Sequence, residues 1–130
     1  MERRVVVVID DDQSNNDLLF YRLRREEYTP HVFLDTPANM DELFMIGTPV
    51  AIIMELHVHN RDGFDLLREI RSYSELRGTK VIILSNPRSL SEGKRSIELG
   101  ADIYIPKPYS PLALMTKLQE LLGDPETPAL

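Results

Sequence analysis

Short apolar runs, each stopped by a polar residue, alternate along the chain with segments of helical periodicity. Residues 5–9 are entirely β-branched, as suits a strand covered on both faces. Ser14 is placed to cap a helix in which Leu19, Phe20 and Leu23 recur at helical spacing, with Arg22, Arg24 and Arg25 toward solvent. Residues 31–34 predict a short second strand. Residues 37–46 predict a helix that begins with Pro37 and sets Met40, Leu43 and Phe44 on one side. Residues 50–54 predict a third strand, 56–62 a polar loop closed by Gly63, and Phe64, Leu67 and Ile70 a helix with Arg68 and Arg71 outward. Arg77-Gly78-Thr79 breaks the pattern before a fourth strand at 81–84. Residues 88–99 predict a weak helix, with Gly93 inside it. A fifth strand at 103–105 precedes a strong last helix, opened by Ser110-Pro111, carried by Leu114, Met115, Leu118, Leu121 and Leu122, and ended by Gly123.

Strands separated by helices imply parallel βαβ units with helices on both faces. In such sheets ligands bind beyond the carboxyl ends of the strands. Asp10 and Asp11, Glu55, Ser85 and Lys107 each follow one of those ends. Topology alone gathers three carboxylates, a hydroxyl and an ammonium at one edge.

Composition narrows the class of function. The chain has 130 residues, 42% hydrophobic and 28% charged, which suits one globular domain. A net charge of −6 argues against nucleic-acid binding by this domain, because phosphate contacts need clustered Lys and Arg. It has no cysteine, so thiolate metal sites and disulfides are excluded. No apolar run approaches the ~20 residues of a membrane span. We expect a cytoplasmic protein without membrane association. Residues 1–123 are expected to form the domain and 124–130, with two prolines, a flexible tail or the start of a linker.

The motifs together resemble the receiver domain of two-component response regulators over residues 4 to 122. The acidic pair is Asp10-Asp11, and Glu55 stands where the family has its phosphate-accepting Asp. Asp62-Gly63 matches the family's Asp-Gly, Ser85 its Thr or Ser, Lys107-Pro108 its Lys-Pro, and Tyr104 its aromatic switch residue. The resemblance implies a doubly wound five-stranded parallel sheet in the order 2-1-3-4-5, the flavodoxin-like receiver fold. It implies switch residues Ser85, Tyr104, Lys107 and Pro108. It implies a sensor histidine kinase, a phosphotransfer protein or an effector protein as partner, and a homodimer or effector surface within residues 88–122. The one cofactor it brings in is Mg²⁺, through Asp11, Glu55, the backbone carbonyl of His57 and, via water, Asp10.

The departures bear on chemistry. Glu55 replaces the acceptor Asp, His59 stands where the family usually has Pro, and Asn86-Pro87 follows Ser85. Phosphoryl transfer depends on in-line positioning, and a displacement of about 1 Å can cost ~10²-fold. One extra methylene moves the Glu oxygens that far. We therefore expect a pseudo-receiver, not an enzyme: Glu55 unphosphorylated, reaching Lys107 in preference to Mg²⁺. Such a pair would imitate part of the phosphorylated state and serve phosphorelay signal transduction through protein–protein interaction. His57 and His59 beside Glu55 also raise a transition-metal site, although polar loop histidines are more often unliganded. Asp12 reads as a carboxylate at a helix N-terminus. The alternative function is a haloacid-dehalogenase-type phosphatase using Asp10 and Asp12, with Leu84-Ser85-Asn86, Lys107-Pro108 and Gly123-Asp124 as its later motifs. That reading needs a strand before Gly123, where the periodicity is helical.

Overall fold

The computed structural model describes residues 4–37, 40–45, 47–58 and 61–123. Its elements are β1 (Val5–Ile9), α1 (Gln13–Arg25), β2 (Thr29–Phe33), α2 (Asp41–Phe44), β3 (Ala51–Met54), β4 (His57–Val58), β5 (Arg61–Asp62) and α3 (Gly63–Ser72). A single 3₁₀ turn (Ser74–Leu76) leads to β6 (Lys80–Ser85), α4 (Glu92–Glu98), β7 (Ile103–Pro106) and α5 (Pro111–Leu122). The main sheet has five strands in the order β2-β1-β3-β6-β7, all parallel. In order of appearance that is 2-1-3-4-5, as expected.

Alternate side chains of the strands feed two cores. Val7, Ile9, Ile52, Met54, Val81 and Ile83 pack with Leu66, Leu67 and Ile70 of α3. Val6, Val8, Ile53, Ile82 and Leu84 pack with Leu19 and Leu23 of α1 and with Leu114, Met115 and Leu118 of α5. Each fully buried branched side chain contributes about 1.5–3 kcal/mol relative to exposure, so the β-branched runs fix the sheet from both faces. Backbone hydrogen bonds continue past the strands, from Glu55 N to Ile9 O at 2.9 Å and from Lys107 N to Ser85 O at 2.8 Å. These hold the polar residues of the strand ends in register.

Several local expectations change. Asp12, not Ser14, caps α1, accepting from Asn15 N at 3.1 Å. Phe20 lies on the outer face of α1, 43% exposed, because Leu19 and Leu23 already fill the inner one. The helix expected over 37–46 is a single turn in α2, with Met40 and Leu43 buried; residues 38, 39 and 46 lie outside the described part. The loop expected at 56–62 contains an antiparallel pair, His57↔Asp62 and Val58↔Arg61. Gly63 closes it because a Cβ there would stand 2.5 Å from the Leu56 Cα. Arg71 is not outward: it donates to Gly100 O (2.8 Å), Leu76 O (3.1 Å), Thr79 O (2.9 Å) and Asp102 Oδ2 (3.0 Å). The expected 88–99 helix is confined to Glu92–Glu98. Ser110 caps α5 as expected, accepting from Ala113 N at 3.1 Å. The expected tail, 124–130, lies outside the described residues.

Candidate functional site

Four neighbouring strands deliver the site. Asp10 follows β1, Glu55 follows β3, Ser85 ends β6 and Lys107 follows β7. Asp10, Glu55 and Ser85 are buried, and the Lys107 side chain is 9% exposed. The Lys107 Nζ stands 2.7 Å from Asp10 Oδ2 and 3.2 Å from Glu55 Oε2, so one ammonium bridges two buried carboxylates. Glu55 Oε1 accepts from Ser85 Oγ and from His57 N at 3.2 Å. Glu55 Oε2 also accepts from Asn86 N at 3.2 Å. Asp10 Oδ1 accepts from Asp12 N at 2.9 Å, and Oδ2 from Asn15 Nδ2 at 3.1 Å. Asp11, expected in the same pocket, is exposed. Pro108 is exposed and follows a cis peptide bond after Lys107.

Two carboxylates and one ammonium leave this buried site with a residual negative charge. Burial raises the Asp10 carboxyl above its usual range, against the hydrogen bonds from Lys107 and Asp12, and the charge of Glu55 adds to the rise. Burial alone would lower Lys107, but the hydrogen bond and charge of Asp10 and the charge of Glu55 outweigh it and raise the ammonium.

Sequence reasoning missed a supporting layer behind Asp10. The Tyr109 hydroxyl donates to Asn15 Oδ1 at 2.5 Å, and Asn16 Nδ2 donates to Asp10 O at 2.7 Å. The Tyr109 phenol is pushed up to about 12 by burial and then by the charges of Asp10 and Asp12. The available signal was Asn15-Asn16, two amides in the first turn of a helix directly after an acidic triplet. Tyr104 is half-buried against the α3 core, and its hydroxyl donates to Glu92 Oε2 at 3.3 Å. Glu92 Oε1 also meets the His57 imidazole at 2.8 Å. His57 therefore faces Glu92, and His59 lies outside the described residues.

Of the residues that the resemblance assigns to Mg²⁺, Asp10 and Glu55 have their oxygens engaged by protein donors and do not fit a divalent cation in this arrangement. Mg²⁺ demands octahedral oxygen ligands. Here Lys107 occupies the space between the Asp10 and Glu55 carboxylates, and their remaining oxygens are committed to N–H and O–H donors. Among the described residues no group of three or more His, Cys, Asp or Glu side chains is placed to share a metal ion. The phosphatase alternative also fails: α5 occupies Pro111–Leu122, where that reading needs a strand. No helix among the described residues is long and apolar enough to cross a membrane.

The family model described as response regulator receiver domain matches residues 6–119. The transcriptional regulatory protein GltR of Pseudomonas aeruginosa is 36% identical over 70 residues, covering 54% of this chain and 29% of that protein. The sensory transduction protein RegX3 of Mycobacterium bovis is 29% identical over 104 residues, 80% of this chain and 44% of that protein. The chain thus spans less than half the length of either relative. The solved chemotaxis response regulator CheY4 of Vibrio cholerae shares the fold, with a TM-score of 0.82 at 21% identity over 93% of this chain and 100% of that one.

Proposed function

The chain belongs to the response regulator receiver domain family of two-component signalling, and on that footing we propose that it works as a pseudo-receiver, a regulatory protein-binding module that takes no phosphoryl group at position 55. One observation carries the reading. A carboxylate offers about four lone-pair sites, and Glu55 meets four donors: Ser85 Oγ, His57 N, Asn86 N and Lys107 Nζ. No oxygen is left aimed at an incoming phosphorus. The hydroxyl and ammonium of the switch residues already serve the side chain's own charge. That charge is −1, against roughly −1.5 to −2 for a phosphoryl group.

In this reading Lys107 supplies the neutralisation that a divalent cation would give, so Mg²⁺ binding is weak or absent. The role is regulatory rather than catalytic. The partners are proteins: a sensor histidine kinase, a phosphotransfer protein or an effector, with self-association through residues 88–122 as a further arrangement. The net charge of −6 supports neither nucleic-acid nor membrane binding by this domain, and we place the protein in the cytoplasm.

The test is incubation with acetyl phosphate and Mg²⁺, read by intact mass. The expected result is an unchanged mass. A stable adduct of about 80 Da on Glu55, the mass of one phosphoryl group, overturns the proposal. Titration with Mg²⁺ alone, followed by tyrosine fluorescence, is expected to show no sub-millimolar response.

A further inference from the structure

Glu92 has no role in the pocket itself, yet it is 5% exposed on a seven-residue helix. A buried carboxylate is costly unless it is paired and hydrogen-bonded. This one gathers three donors from three separate segments. The His57 imidazole reaches Oε1 at 2.8 Å from β4. Arg88 N reaches Oε1 at 3.2 Å from the turn after β6. The Tyr104 hydroxyl reaches Oε2 at 3.3 Å from β7.

His57 has two attachments. Its side chain meets Glu92, while its backbone N–H donates to Glu55 Oε1 at 3.2 Å. A continuous path of hydrogen bonds therefore runs from Glu55 through His57 and Glu92 to the Tyr104 ring. The ring lies against Gly93, where a Cβ would stand 3.2 Å from Cδ1. The small residue beside Glu92 leaves the space in which the ring sits. Glutamine at 92 would turn one of the two accepting oxygens into an amide donor, so the imidazole and the phenol could not both keep donating to it.

We infer that Glu92 is a positioning residue that couples the Glu55 pocket to Tyr104, so that the face formed by α4 and β7 reads the state of residue 55 through the His57–Glu92 bridge. The inference goes beyond the pseudo-receiver reading and holds with or without it, because the bridge transmits any change at residue 55. The Tyr104 phenol is held above its ordinary value by burial, by the charge and hydrogen bond of Glu92, and by the charge of Glu55, as the same geometry requires.

The experiment is a double-mutant cycle read at Tyr104 by NMR. The ring signals are assigned with Tyr104→Phe, and the ring's position is followed by its nuclear Overhauser contact to the Gly93 Hα. The set is wild type, Glu55→Gln, Glu92→Gln and the double variant. Glu92→Gln is expected to cut the Tyr104–Gly93 contact to less than half. Glu55→Gln is expected to shift the Tyr104 ring signals in the wild-type background and to shift them less than half as far in the Glu92→Gln background. An unchanged contact in Glu92→Gln, or the same Glu55→Gln shift in both backgrounds, overturns the inference. The contact between the Phe44 and Tyr73 rings, whose centroids are 5.3 Å apart, reports whether each variant is folded. Should Glu92→Gln lose that contact, His57→Ala cuts the bridge from its other end and decides by the same comparison. A Glu55→Gln shift that persists there at full size is contradictory, and one cut to less than half is supporting.

Discussion

Lys107 is the counter-ion of two buried carboxylates at once, and that makes it the residue on which the site most depends. Removing one partner of a buried ion pair leaves uncompensated charge and costs about 3–5 kcal/mol. Lys107→Met is expected to lose stability of that order in urea unfolding, and Glu55→Gln in the same chain is expected to recover part of it, since the repulsion with Asp10 goes too. Tyr109 gives a pH signature. Its phenol titrates at about 12 in the folded chain, against 10.0 ordinarily. Between those values the folded state holds a proton that the unfolded state has released, so stability falls as pH rises through that window. Tyr109→Phe is expected to lack this component of the alkaline fall, and its difference absorbance at 295 nm should lose one late-titrating phenol. Asp10, Glu55, Ser85 and Lys107 were legible because each interrupts a strand run, and a sheet brings strand ends together. Asn15, Tyr109 and Glu92 were not. Their partners come from other elements, and an acid in a first helical turn reads as a complement to the macrodipole.

At the scale of elements, the stretch between α3 and β7 is held by one side chain. The Arg71 guanidinium ties α3 to the 3₁₀ turn at Leu76 O, to Thr79 O ahead of β6, and to Gly100 and Asp102 ahead of β7. Asp102 Oδ2 in turn accepts from Val81 N at 2.8 Å. Arg71→Ala is expected to cost about 2–4 kcal/mol in urea unfolding, from roughly 1 kcal/mol per neutral hydrogen bond and more for the charged partner. Arg71→Lys is expected to restore little, because an ammonium has no fork to reach four acceptors. This knot was invisible in sequence: an Arg opposite a helix's apolar stripe reads as solvated. Asp12 was legible at the N-terminus of α1, but not its choice over Ser14 as the cap, since both are good N-cap types. The same limit hid the β4–β5 pair, where two residues per strand are too few to show a period. It did not hide β1, β3, β6 and α5, whose periodicity runs long enough to be decisive.

At the scale of the whole molecule, two cores clamp one sheet and leave its carboxyl edge to carry the polar cluster. The fold class followed from alternating periods, and the strand order from the resemblance. The interior of the site followed only in outline, since which carboxylate Lys107 meets is set by side-chain reach rather than by pattern. The central claim is that residue 55 satisfies its own pocket, so that no chemical input is needed to set the face formed by α4, β7 and α5. The most direct measurement is the backbone amide spectrum of the uniformly ¹⁵N-labelled chain, recorded before and after Mg²⁺ and acetyl phosphate are added together. The amides of residues 85–122 are expected to stay in place. A concerted shift of that set on adding the phosphodonor contradicts the claim.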